Sequence, residues 1–301
     1  MKTERPDIYA QVTDSIIAAI ENGAGPWQMP WTRRGDGLVC PVNIDTAKPY
    51  RGINIVNLWA SACRHGFSTG VWGSYRQWQN KGFQVRKGEK ASFVVFYKEF
   101  AVEEENEDTG EIEQGKRFMI RSSWVFNADQ VDGFVLPVPE EKDPALVLEN
   151  ADSFVSGTGA IVRHGGERAF WRPSADFIQM PERDQFIGSA TSTATESYYS
   201  TLLHELVHWT APEPRCNRVL GKSFGDKAYA MEELVAELGA AFLCAGLGIT
   251  PEARVDHAAY IKVWLDVMKA DKKAIFAAAS AAAKATDYLV GLQKKALEGA
   301  A

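Results

Sequence analysis

Cysteine and histidine are both scarce in this 301-residue chain, which has four of the first and five of the second. Cys40, Cys63, Cys216 and Cys244 are scattered, with neither the paired spacing of a zinc knuckle nor the density of a disulfide scaffold. Long apolar runs are missing too, and the opening residues Met1-Lys2-Thr3-Glu4-Arg5-Pro6-Asp7 are charged with no apolar core behind them. A spanning helix needs about 20 apolar residues and a secretory leader needs an apolar core, so no membrane association is expected and the expected compartment is the cytoplasm. An overall basic excess is also absent, the formal charge being −6. With 46% hydrophobic residues, the chain reads as an ordinary globular protein with material for two domains.

The overall charge hides a local one. From Arg33 to Lys98 there are eleven Lys or Arg against three acids, Asp36, Asp45 and Glu89. Tyr50, Trp59, Phe67, Trp72, Tyr75, Trp78 and Phe83 are interleaved with these cations. Cations neutralise phosphates and exposed rings stack on unpaired bases, a combination that fits single-stranded nucleic acid rather than duplex. The candidate contact residues are Arg51, Trp72, Tyr75, Arg76, Trp78, Lys81, Arg86, Lys87 and Lys90. The competing role for each ring is plain core packing.

Periodicity and punctuation place the elements. Ile8, Val12, Ile16, Ile17 and Ile20 recur at helical spacing within Asp7 to Asn22. The acidic stretch Glu103 to Glu111 predicts a hairpin tip between strands at Phe93–Tyr97 and Phe118–Ile120. Closely spaced prolines and charges at 136–144 predict a linker between residues 1–135 and 145–301. Beyond it, Ala169–Pro173 and Phe177–Pro181 predict two short strands around a turn, whose free edge could align an extended peptide. Helices then dominate: one capped by Thr193-x-x-Glu196 and stopped by Pro212, one over Ala228–Leu247, one opened by Thr250-Pro251, and an Ala-rich tail. The fold class expected is α+β.

Inside the capped helix lies His204-Glu205-Leu206-Val207-His208. Residues four apart share a helix face, so both imidazoles can hold one ion while Glu205, rotated about 100° from His204, can reach a water beside it as a proton acceptor. Such sites take a third protein ligand. The next helix supplies Glu232-Glu233-Leu234-Val235-Ala236-Glu237, with Glu233 and Glu237 one turn apart. Its Glu-x-x-Ala pattern resembles the third-ligand helix of the gluzincin metallopeptidases. That resemblance implies Glu233 as ligand and Glu237 as the carboxylate buttressing His204, although the thermolysin-like form has Asp there. Glu232 and Glu237 stay open as alternative ligands. One zinc per chain is the expected cofactor, with manganese or another divalent ion able to take its place.

The segments Asn43-x-x-Thr46-x-x-Pro49-Tyr50-Arg51-Gly52-Ile53-Asn54, Trp78–Gly82 and Val85–Lys90 resemble the N-terminal single-stranded-DNA-binding domain of the ArdC family, and His204–Thr210 resembles the metallopeptidase-like half of the same proteins. The resemblance covers nearly the whole chain in order. It implies a plasmid-borne antirestriction protein acting during conjugation, with single-stranded DNA as partner and a protein substrate, a component of host restriction. Two rival expectations stand beside a working zinc peptidase: a structural or protein-binding metal domain without turnover, and a metal-dependent nuclease. Nucleases are usually built from carboxylates around paired hard metals, which makes the last the weakest.

Overall fold

The structure, a computed structural model, describes residues 7–21, 39–105, 112–135, 144–188, 192–220, 227–249 and 258–299. Helix α1 (Ile8–Glu21) forms where the apolar period predicts it, with the Asp7 carboxylate accepting from Tyr9 N–H at 2.9 Å. It packs on α2 (Ile53–His65), which ends at Gly66 in the left-handed conformation a glycine adopts without strain.

Four strands follow the order β1-β2-β5-β4, with β1 Val42–Asn43, β2 Val71–Gly73, β4 Ser92–Glu105 and β5 Ile112–Asn127. The β1–β2 pair is parallel and the others antiparallel. The expected hairpin is present but longer: pairing runs unbroken from Ser92↔Val125 to Glu105↔Ile112, so Glu103, Glu104 and Glu105 are strand, not tip. Backbone hydrogen bonding carries the ladder through a stretch whose side chains show no strand period. The residues of the expected tip from 106 to 111 lie outside the described residues.

Asn54 completes the free edge of β4. Its side-chain amide donates to Val95 O and its side-chain oxygen accepts from Val95 N–H, both at 2.8 Å, as a further strand would. Helix α3 (Tyr75–Asn80), capped by Ser74 and Gln77, packs with β3 (Gln84–Val85) and β6 (Val131–Asp132) around a small second core of Trp78, Val85, Ala128 and Val131.

Pro144, expected at the end of the linker, opens α4 (Pro144–Gly157), the first-turn position proline favours; residues 136–143 lie outside the described residues. A three-stranded sheet ordered β7-β9-β8 comes next, with β7 Ile161–His164, β8 Phe170–Arg172 and β9 Phe177–Met180. The two strands expected here are present; β7, parallel to β9, was not legible in the sequence. Helices α5 (Ala194–Trp209), α6 (Lys227–Leu247), α7 (Ala258–Ala270) and α8 (Ala274–Gly299) complete the chain. The Thr250-Pro251 start expected for the third of these lies outside the described residues. The Ala-rich tail packs: Ala278, Ala279, Ala282, Ala285 and Leu289 are buried.

One hydrophobic cluster joins the two halves of the chain, running from Val12, Val56 and Val94 to Leu206, Leu238 and Ile275. Tyr9 meets Phe276 edge-on at 4.7 Å, Trp59 lies 5.8 Å from Phe242, and Thr13 Oγ1 donates to Lys272 O at 2.6 Å.

Helices α5 and α6 approach closely at Gly239, where an added Cβ would lie 2.7 Å from Val207 Cγ2. Alanine there gains about 1 kcal/mol of helix propensity but meets a β-branched neighbour with one preferred helical rotamer. Val207→Ala is expected to cost at least about 0.5 kcal/mol less in a Gly239→Ala background than in the wild type, measured by chemical denaturation in a double-mutant cycle. Equal costs would mean the helices are not in steric contact there.

Candidate metal centre

Helix α5 starts with the expected capping box: Thr193 Oγ1 accepts from Glu196 N–H, and the Glu196 carboxylate accepts from Thr193 N–H at 2.9 Å. The helix buries His204 and Glu205 and leaves His208 partly covered. Across the Val207–Gly239 contact, α6 presents three carboxylates.

The Nε2 atoms of His204 and His208 lie 3.1 Å apart. Glu233 Oε2 is 3.4 Å from His204 Nε2, and Glu233 Oε1 is 3.6 Å from His208 Nε2. Ligands about 2.1 Å from one ion at tetrahedral angles stand roughly 3.4 Å from each other, so the spacing of these donors is that of a shared-ion site. Among the described residues, this trio is the group of metal-ligating side chains that converges, all within 4.8 Å. Two imidazole nitrogens and one carboxylate suit zinc and accept manganese.

A carboxylate faces each outer nitrogen as well, within hydrogen-bond distance at His208. Glu237 Oε2 lies 3.6 Å from His204 Nδ1, and Glu232 Oε1 lies 3.1 Å from His208 Nδ1. Glu233 is thus the carboxylate on the inner side, while Glu232 and Glu237 back one histidine each. Arg218 then satisfies Glu232 from behind, with Nε donating to Oε2 at 2.9 Å and a terminal nitrogen to Oε1 at 2.7 Å. The same guanidinium donates to Val207 O and Thr210 Oγ1, both at 2.7 Å, and so also closes the C-terminal end of α5. Nothing in the sequence marked Arg218, and the place of Glu232 was left open between ligand and support.

Glu205 Oε2 accepts from the backbone N–H of Trp171 on β8 at 2.9 Å. This ties the edge strand to α5, and the Trp171 indole N–H donates in turn to Asp176, which Arg215 grips with two nitrogens at 2.8 and 3.0 Å.

The protonation of the cluster follows from these pairings. Burial works against charge on His208, but Glu232 and Glu233 outweigh it and push its pKa up to about 10. Burial pushes Glu233 up, and the two histidines more than reverse it, holding its carboxyl far below the ordinary range. Burial likewise opposes ionisation of Glu232, and Arg218 with His208 keeps its carboxyl below the ordinary range. Without an ion, a proton on His208 plays the cation's part.

The residues expected to contact nucleic acid divide sharply. Trp72 and Trp78 are corrections: they are 1% and 0% exposed. Trp72 belongs to the main core, edge-on to Phe67 at 5.8 Å, and Trp78 fills the second core with its indole N–H on Phe126 O at 3.1 Å. Neither ring can stack on a base while the fold is closed. Tyr75 is exposed, as are Arg51, Arg76, Lys81, Arg86, Lys87 and Lys90. Arg51 pairs with Asp287, Lys81 lies 3.8 Å from Asp45, and Arg86 is held by Glu89 at 2.9 Å and by Asp129 O.

Known proteins repeat this two-part layout. Residues 149–281 match the zincin-like metallopeptidase family, and residues 6–126 match the N-terminal domain of anti-restriction factor ArdC. The crystal structure of antirestriction ArdC from plasmid R388, metal-free, shares 39% identity at a TM-score of 0.74, covering 96% of this chain and 98% of that one. The chain belongs to the ArdC antirestriction family. A Mn(II)-bound structure of R388 ArdC is similar at 38% identity and a TM-score of 0.72, covering 95% and 98% of the two chains. Protein y4eC of Sinorhizobium fredii is 43% identical over 96% of this chain and 94% of its own length. The DNA primase TraC of Escherichia coli is 35% identical over 99% of this chain, which spans 28% of the primase. In this ArdC family member, no described helix is long and apolar enough to cross a membrane.

Two outcomes test the centre. Glu233→Ala is expected to weaken zinc or manganese binding more than Glu232→Ala, which removes a group that supports a ligand, a change that typically costs about 10- to 100-fold in affinity; equilibrium dialysis ranks them. Because His208 carries a proton up to about 10 in the ion-free protein, ion binding near neutral pH must displace it, and affinity should rise with pH. Calorimetry in buffers of different ionisation heat should show roughly one proton released.

Proposed function

We propose that this chain is an antirestriction protein that binds single-stranded DNA without sequence preference and carries a zinc-dependent peptidase site, protecting incoming plasmid DNA from host restriction during conjugation in the cytoplasm. The observation that carries the metal half is the convergence of His204, His208 and Glu233 beside Glu205. In this reading His204, His208 and Glu233 hold one zinc, Glu237 orients His204, and residues 1–135 and 145–301 are the DNA-binding and zincin-like units.

When bound there, the cation would supply Lewis acidity, lowering the pKa of a water and polarising a peptide carbonyl. The protein supplies the rest. Glu205 takes a proton on its carboxylate and passes it to the leaving amine, a general acid–base role worth about 10²- to 10⁴-fold in rate. Trp171 N–H holds the Glu205 carboxylate by one oxygen and so orients the group for proton transfer. The adjacent strand β8 is at the edge of its sheet, and the backbone groups left beside the engaged Trp171 N–H would align an extended protein substrate, a component of host restriction in this reading.

A second reading, a metal domain that binds protein without turnover, draws on the burial of Glu205 at 4% exposure with one oxygen already engaged. Glu205→Gln separates the two. The peptidase reading expects unchanged metal content and a drop of about 10²- to 10⁴-fold in cleavage of an unfolded protein by the zinc-loaded full chain. Wild-type protein that holds zinc and cleaves nothing supports the second reading. For DNA, Lys87→Ala with Lys90→Ala should reduce the salt slope of oligo-dT binding by about 0.7 for each phosphate that is no longer neutralised.

A further inference from the structure

With Trp72 and Trp78 in the core, the rings that meet bases must lie elsewhere, and strand β5 supplies one. Side chains alternate along a strand. On β5, Val125 and Asn127 turn into the core at 3% and 0% exposure, whereas Trp124 is 56% exposed. A tryptophan more than half in water, on a central strand of a sheet, is not accounted for by the packing of the fold.

Its surroundings hold it in place without covering it. Phe93, the cross-strand partner of Trp124, meets the indole edge-on with ring centres 5.7 Å apart. Two residues along the same strand face, roughly 7 Å on, comes Phe126. Phe126 meets Tyr75 edge-on at 6.4 Å, and Tyr75 is 43% exposed. The Tyr75 hydroxyl accepts from Gln84 Nε2 at 3.1 Å, which fixes that ring as well. The result is a row of aromatic rings, exposed at Trp124 and at Tyr75.

Charge identifies the occupant. From Tyr75 to Lys90 the chain carries Arg76, Lys81, Arg86, Lys87 and Lys90 against the single acid Glu89. Arg76, next to Tyr75 in the chain, is exposed, as are Lys81, Arg86, Lys87 and Lys90. Rings with open faces flanked by cations fit a phosphate backbone whose bases are unpaired, since bases in a duplex are already stacked. A membrane surface fits less well, because exposed polar Ser122 and Gln84 interrupt the apolar row.

We infer that Trp124, on the outer face of the four-stranded sheet, and Tyr75, on α3 against Phe126 of that sheet, are base-stacking residues of this protein. The inference rests on the DNA reading above and adds the surface that serves it. The test uses the full-length chain and fluorescence anisotropy with a labelled oligo-dT and a duplex of equal length. Trp124→Ala and Tyr75→Ala should each weaken oligo-dT binding by roughly 5- to 150-fold, leave the salt slope unchanged, and leave the weaker duplex binding as it was. Trp124→Phe, which keeps a stacking ring, should restore most of the affinity. Melting curves and sedimentation of each variant keep misfolding and oligomerisation apart from impaired stacking. Wild-type protein that does not bind oligo-dT at low salt overturns the DNA reading altogether. Wild-type protein that binds, with folded Trp124→Ala and Tyr75→Ala binding equally well, overturns the stacking face alone. A wild-type dimer that Trp124→Ala converts to monomer, with DNA affinity unchanged, assigns the face to a second copy and overturns it too.

Discussion

The contact between α5 and α6 at Val207 and Gly239 is the constraint on which the metal centre depends. Helix α5 alone aligns two imidazoles, because residues four apart share a face. It cannot supply the third donor. That comes from α6, and only a residue without a side chain lets α6 come near enough for Glu233 to stand 3.4 and 3.6 Å from the two Nε2 atoms. The same approach sets Glu232 and Glu237 against the outer nitrogens, so one close packing point fixes both layers of the site.

That approach crowds three carboxylates into a poorly hydrated space, and the chain answers with cations. Removing one partner of a buried ion pair typically destabilises by about 3–5 kcal/mol, because the other charge is left uncompensated. Arg218 is therefore more than a helix cap: it lets Glu232 stay ionised beside His208 and, through Val207 O and Thr210, ties that charge to the end of α5. The same turn after α5 carries a second arginine, Arg215, which grips the exposed Asp176 in the turn between β8 and β9.

The parts of the site that obey a local rule were legible in the sequence. His204, Glu205 and His208 needed only the helical period, and the Thr193 cap fixed where that helix starts. Arg218 obeys no local rule. It returns to α5 because the turn after Trp209 folds back, with Arg218 N–H bonded to Ala211 O at 2.7 Å, and spacing along the chain does not encode that return. The aromatic residues show the complementary failure. Composition counts rings but cannot assign faces, and the basic island led to Trp72 and Trp78, whose elements are covered on the side where they point. Trp124 sits outside the island, and only the pairing of β5 with β2 and β4 separates its outward face from the inward one of Val125. The hairpin was placed correctly but drawn too short, because acidic residues weaken a side-chain pattern without interrupting the backbone ladder.

The hydrophobic cluster shared by α1, α2, α7 and α8 has a consequence for how such a unit can be inherited. A boundary in the covalent chain at 136–143 is not a boundary in the packing, since Tyr9, Thr13 and Trp59 reach across to Phe276, Lys272 and Phe242. Recombination that exchanged one half for a distant relative's would juxtapose two surfaces that had not drifted together, and voids or clashes would follow. The layout favours transfer of the whole span as one block. Such a block is what the alignment with the primase displays, where 99% of this chain corresponds to 28% of a much longer protein.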